Sequence, residues 1–146
     1  MDAFVHVNDV TPTMLEYTGA QHPGSMYKGH PVHLIMGKSM KPLLEGNVTQ
    51  IYADDESVAQ EMFKNTAVFM GPWKAEKLFG PPIYDGRWQI YKITVDIGEN
   101  NNVASQHPEI LQKTISGYDK YAKEVGVIVP SEIGAAPLQK LALGSD

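Results

Sequence analysis

The sequence predicts an α+β fold: a four-stranded antiparallel sheet packed against a long C-terminal helix, with a short helical lead-in. Three observations carry that expectation. From Val48 onward, short runs rich in β-branched and aromatic residues are separated by turn residues, the signature of an antiparallel meander. From Pro108 the apolar period becomes helical, with Leu111, Ile115, Tyr118, Ala122 and Val125 on one stripe. Ahead of both, residues 8–18 (NDVTPTMLEYT) carry helix-start and helix-stop signals.

In the lead-in helix Asn8 or Thr11 can cap, Pro12 suits a first turn, and Gly19 is a left-handed terminator. Val10, Met14 and Tyr17 share one face. Residues 20–38 hold Pro23, Gly24, Gly29, Pro31 and Gly37 and read as an irregular surface loop. Residues 39–45 (SMKPLLE) read as one or two helical turns, capped by Ser39 and stopped by Gly46.

The four expected strands are 48–53, 66–70, 73–79 and 88–95. Gly71-Pro72 makes a tight reversal, while Gly80-Pro81-Pro82 and Asp85-Gly86 mark a longer loop. Residues 55–64 (DESVAQEMFK) are compatible with a helical turn or a mobile loop. In the third strand Trp73, Ala75 and Phe79 fall on a buried side, with Lys74 and Glu76 on a wet one. The fourth has apolar groups on both sides, Trp88 and Ile90 against Tyr91, Ile93 and Val95, which predicts a central strand covered on both faces. Pro108 then opens the long helix and Gly126 ends it. Residues 127–129 form a short extra strand or simply pack.

A chain of 146 residues fits one domain, which at that length buries about 68–70% of the surface of its unfolded chain. Within residues 1–146 the expected parts are a lead-in (1–46), the sheet (47–104), the helix and its end (105–130) and a weakly ordered tail (131–146). The hydrophobic share of 42% and charged share of 20% are ordinary for a soluble globular protein. No apolar run approaches the roughly 20 residues that span a bilayer, and the first ten residues lack the pattern of a secretory signal. Compartment is left open. The absence of cysteine excludes disulfides, thiolate metal sites and cysteine nucleophiles. A formal charge of −5 with scattered basic residues argues against nucleic acid as a partner.

The order of several short motifs resembles a known family. Trp73-Lys74, Trp88-Gln89-Ile90-Tyr91, Asp96-Ile97-Gly98-Glu99, Asn102-Val103-Ala104, His107-Pro108 and a helix ending in Gly126-Val127 together resemble the C-terminal end of the sulfatases, especially bacterial-type arylsulfatases. Upstream, residues 9–15 (DVTPTML) and 20–24 (AQHPG) extend the resemblance, so that it covers nearly the whole chain to about residue 130. Lys92 stands where the family usually has Asp, and Ile97 where it usually has Pro. The resemblance implies a small C-terminal subdomain: a four-stranded antiparallel sheet with a long helix across it. It also implies, for an intact member, calcium and a formylglycine made from Cys or Ser in a Cys/Ser-x-Pro-x-Arg motif. This chain has no cysteine and no Ser-x-Pro-x-Arg, so no catalytic, cofactor or metal residue is assigned.

Other candidate sites have plainer readings. Asp54-Asp55 imitates the acidic pair of a calcium site but reads better as a solvated turn or helix start. His30 and His33 have a metal-compatible spacing only on a helix, and Gly29 and Pro31 argue for a loop. His107 reads as a helix-capping position, and His6 and His22 have no evident partner. Ser25, Ser39, Ser57, Ser105, Ser116 and Ser131 lie in no nucleophile-elbow context. Trp73, Trp88, Tyr91 and Tyr118 could form a stacking surface, with core packing the stronger reading. Seven scattered methionines carry no site.

The functional expectation is the C-terminal portion of an arylsulfatase-like sulfuric ester hydrolase, inactive alone. Its expected partner is a second copy of itself or a sulfatase catalytic domain, whose substrate pocket it helps to wall. The alternatives are a stand-alone binding or assembly module that kept the fold without the chemistry, or a half that complements a separate catalytic chain.

Overall fold

Two tight reversals set the frame of the sheet, and both put positive φ where a two-residue hairpin loop needs it. The first joins β3 (Ser57–Met62) to β4 (Asn65–Met70) through Phe63 and Lys64, with φ of 53° and 76°. The second joins β4 to β5 (Trp73–Gly80) at Gly71, with φ of 52°. A Cβ on Gly71 would also crowd the Asp54 carbonyl oxygen, at 2.7 Å.

The computed structural model describes residues 3–80 and 84–128. Its contacts fall into two compact units, 1–53 and 54–146.

The first unit contains a 3₁₀ turn (Val7–Asp9) running into α1 (Val10–Thr18), which Gly19 ends at φ 69°. A two-residue hairpin follows, β1 (Met26–Tyr27) and β2 (His30–Pro31), in a segment that is otherwise the irregular loop expected. The short helix α2 (Lys41–Leu44) has Ser39 Oγ accepting from Lys41 N at 3.2 Å, and Gly46 leaves it at φ 76°. The face shared by Val10, Met14 and Tyr17 is exposed, and the buried residues here are the polar Asp9 and Thr13.

The second unit holds the four-stranded antiparallel sheet, in the order β3-β4-β5-β6, with β6 at Tyr84–Lys92, and the helix α3 at Pro108–Val125. The α+β class, the sheet and the long helix are as the sequence predicts. The first strand is not where it was expected. Residues 48–53 form no strand; Ile51 O accepts from Lys38 Nζ at 3.3 Å and the Tyr52 hydroxyl donates to Asp9, so this run is used by the lead-in. The strand is instead formed by SVAQEM, poor β-formers by composition, in the stretch read as helical turn or loop. Small residues are what that position needs, because the helix lies close upon it: a Cβ on Gly117 would overlap the Ser57 side chain.

Strand β6 lies at an edge rather than in the centre of the sheet, correcting a second expectation. It ends at Lys92 because Lys92 O accepts from both Val95 N (3.1 Å) and Asp96 N (3.0 Å), which closes a turn. Its outer edge is partly served by the following loop, where Ile90 N donates to Asn102 Oδ1 at 3.1 Å and Ile90 O accepts from Val103 N at 3.0 Å. Burial on both sides is nevertheless observed, with Ile90 fully buried on one face and Tyr91 4% exposed on the other.

The core lies between α3 and the sheet. Register places Ala59, Val68, Ala75 and Ile90 across the four strands on one face, with Met70 beside Trp73, and all but Trp73 are buried. On α3 the most buried residue is Thr114, whose hydroxyl donates to Ile110 O at 2.7 Å. The expected stripe through Leu111, Ile115, Tyr118 and Ala122 is half-buried and flanks this line, and Val125 is exposed. Gly126 ends the helix at φ 70°, with Val127 N closing onto Ala122 O at 2.9 Å. Val127 and Ile128 form no strand; Val129 and the expected tail lie outside the described residues. Among the described residues no helix is long and apolar enough to cross a membrane.

Candidate functional site

Two buried polar centres stand out, one in each unit, and neither was singled out by sequence. In the first unit the fully buried Asp9 carboxylate accepts from His6 N (2.6 Å), Lys38 N (2.8 Å) and the Tyr52 hydroxyl. Its own carbonyl accepts from Thr13 Oγ1 (2.6 Å), which in turn accepts from Met40 N (2.7 Å). Gly37 permits this closeness, since a Cβ there would overlap the Asn8 carbonyl. Lys38 Nζ lies 4.9 Å from the Tyr52 ring centre. A carboxylate that spends its lone pairs on fixed donors is a structural hub, and it ties helix, loop and residues 51–52 together.

In the second unit the centre lies on the sheet face opposite α3. Lys74 on β5 donates to both Glu99 carboxylate oxygens, at 2.7 and 2.6 Å, and sits 2.9 Å from Glu76. This corrects the expectation of a wet face: Glu76 is buried, and only 16% of the Lys74 side chain is exposed. Cross-strand from Lys74 is Tyr91, whose hydroxyl donates to Gln89. Burial alone would lower the Lys74 pKa, but the bonds to Glu99 and Glu76 outweigh it and hold the ammonium above its ordinary value. Burial, and then the charges of Glu76 and Glu99, push the Tyr91 phenol up. Near neutral pH the Lys74 ammonium and the Tyr91 phenol therefore both keep their protons.

Glu99 reaches Lys74 from the Asp96–Glu99 turn, where Glu99 itself has φ of 55°. Asp96 organises the turn by accepting from Asn100 N (3.1 Å) and Asn101 N (2.9 Å), and the Asn101 and Asn100 amides lower its pKa. Two motifs that carried the family resemblance, Trp73-Lys74 and Asp96-Ile97-Gly98-Glu99, are thus one physical unit joined by an ion pair.

The sequence-nominated residues are dispersed. Asp54 and Asp55 are exposed in a turn. His30 lies in β2 and His33 in the loop beyond, both exposed. His107 occupies the N-cap position of α3, but it makes no side-chain cap bond; its ring packs 4.8 Å from Trp73. His6 Nδ1 accepts from Asn8 N and His22 Nδ1 from Gly24 N, both local bonds. Ser116 donates to Gln112 O within α3. The four aromatics do not make one surface. Trp88 meets Tyr118 edge to face, ring centres 5.7 Å apart, on the helix side, Trp73 faces His107, and Tyr91 points to the opposite face.

Among the described residues no three His, Asp or Glu side chains converge as a metal site. With no cysteine and no Ser-x-Pro-x-Arg, the chain carries no residue that fits the formylglycine precursor of an intact sulfatase. The only hint of the Lys74 cluster in the sequence was a charge pair at alternating positions of a strand followed by an acidic turn.

No family model matches the chain. It is 33% identical over 129 residues to an uncharacterized sulfatase of Schizosaccharomyces pombe, a match that covers 87% of this chain and 23% of that protein. Solved structures with a similar fold include a protein of the core glycosaminoglycan-metabolism locus of Bacteroides thetaiotaomicron, with TM-score 0.60, 19% identity, and 79% of this chain and 24% of the other covered. A protein solved with its substrate D-glucosamine-2-N,6-O-disulfate gives 0.59 at 18% identity, covering 85% and 25%. A 2-O glycosaminoglycan sulfatase gives 0.57 at 19% identity, covering 82% and 25%. The chain spans about a quarter of the length of these relatives.

Proposed function

We propose that this chain, related to the sulfatase family over most of its length, is the C-terminal subdomain of an arylsulfatase-like sulfuric ester hydrolase and does not hydrolyse sulfate esters by itself. One observation carries the reading: the similarity takes in 87% of this chain but 23% of the relative, so the chain corresponds to a small part of such an enzyme. The chemistry of the residues supports it. The half-buried Lys74 is paired with two carboxylates, and the chain has no formylglycine precursor. Its role in a whole enzyme is to pack against the catalytic α/β domain and help wall the substrate pocket.

The test is an aryl sulfate assay of the purified chain with added calcium. No turnover above background is expected; turnover would overturn the reading. The same reading expects self-association of the isolated chain. Met62, Phe63, Val95 and Ile97 are exposed in the second unit, with Ile97 91% exposed. Sedimentation should give a dimer or larger, and a monodisperse monomer would remove that part.

A further inference from the structure

We infer that Asn47 is an acceptor site for N-linked glycosylation, a modification independent of any sulfatase chemistry. Asn47-Val48-Thr49 has the Asn-x-Thr pattern with a middle residue other than proline, and no other asparagine of the chain has Ser or Thr two residues on. The pattern alone is common. What selects this one is its setting.

A glycosyl-transferring enzyme must take a short stretch of backbone into its groove, which costs whatever bonds hold that stretch. Here residues 44–50 are all exposed, and 47–49 lie outside every helix and strand. Gly46, at φ 76°, turns the chain out of α2. Asn47 N is anchored to Pro42 O at 2.8 Å, while its amide Nδ2 has one long contact, to Glu45 Oε2 at 3.3 Å. No sheet ladder is lost when the stretch moves. Other asparagines contrast with this: Asn65 Oδ1 accepts from Phe79 N (2.8 Å), and Asn102 Oδ1 accepts from Ile90 N and Ala104 N (3.1 and 3.0 Å). Those amides hold the fold together.

The donor is a lipid-diphosphate-linked oligosaccharide. The bond between the anomeric carbon and the diphosphate oxygen breaks, the diphosphate leaves with the electron pair, and Nδ2 bonds to the anomeric carbon as it gives one proton to the enzyme. The Thr49 hydroxyl is the recognition group two residues on.

The folded, purified chain is incubated with a single-subunit oligosaccharyltransferase and a lipid-linked oligosaccharide, and the intact mass is measured. A gain of one oligosaccharide is expected, lost in Asn47→Gln and Thr49→Ala and kept in Thr49→Ser. A synthetic peptide of residues 41–53 serves as reference. If the peptide is modified and the folded chain is not, the inference fails. Modification that survives Asn47→Gln would also overturn it.

Discussion

The two faces of the sheet are built on opposite principles. Toward α3, Ala59, Val68, Met70, Ala75 and Ile90 give an apolar layer that needs no partner beyond close packing. On the far side, Lys74, Glu76, Tyr91 and Glu99 give a charged layer in which each member depends on the others. An apolar layer degrades gradually as atoms are removed, whereas a charged one fails when a single partner goes. Strand β5 supplies both, through alternate residues.

Four measurements can break or sharpen this contrast. The largest effect is expected on the apolar face, where Ile90→Ala should cost roughly 2–5 kcal/mol in chemical denaturation by loss of contacts and creation of a cavity. Next, Lys74→Met strands the buried Glu76 without its counter-ion and should cost about 1–3 kcal/mol. Replacing both, Lys74→Met with Glu76→Leu, should recover most of that loss; a harmless single change would mean the face behaves like open solvent. Gly117→Ala should cost about 1–3 kcal/mol by pushing α3 off Ser57. A double-mutant cycle with Ser57→Gly should show the coupling, and strict additivity would place the strain elsewhere.

The smallest effect is the pH response. Lys74 holds its proton above the ordinary value of 10.5, so its contribution is complete below that pH and is lost as pH rises through the raised folded value. Tyr91 behaves with the same sign above its ordinary 10.0, because the unfolded phenol ionises first. Stability should therefore fall above about pH 10. Lys74→Met and Tyr91→Phe should each flatten that fall, and an unchanged slope in both would detach the cluster from alkaline unfolding.

Much of the fold was legible because its signals are local. Gly19, Gly46, Gly71-Pro72, Pro108 and Gly126 mark boundaries by backbone preference alone, and each boundary falls within a residue or two of its element. The first strand was not legible for the converse reason. SVAQEM becomes a strand through the register offered by β4 and the closeness of α3, both of which are tertiary. Position in the sheet also escaped. Apolar residues on both sides of β6 implied a central strand, yet burial at Tyr91 accompanies an ion cluster rather than a second strand neighbour. The polar centres were hidden because Asp9 and Lys38, or Lys74 and Glu99, are far apart in sequence, and no periodicity reports such a pair.

The strand order β3-β4-β5-β6 repeats the order of the chain, and this bears on how the second unit forms. Each ladder closes a short loop, so the sheet can zip from hairpin to hairpin at little entropic expense. Helix α3 is different, since it must return to β3, the strand most distant from it in sequence, before Gly117 meets Ser57. The contact between α3 and β3 should therefore form after the transition state, so substitutions there should speed unfolding while leaving the folding rate nearly untouched.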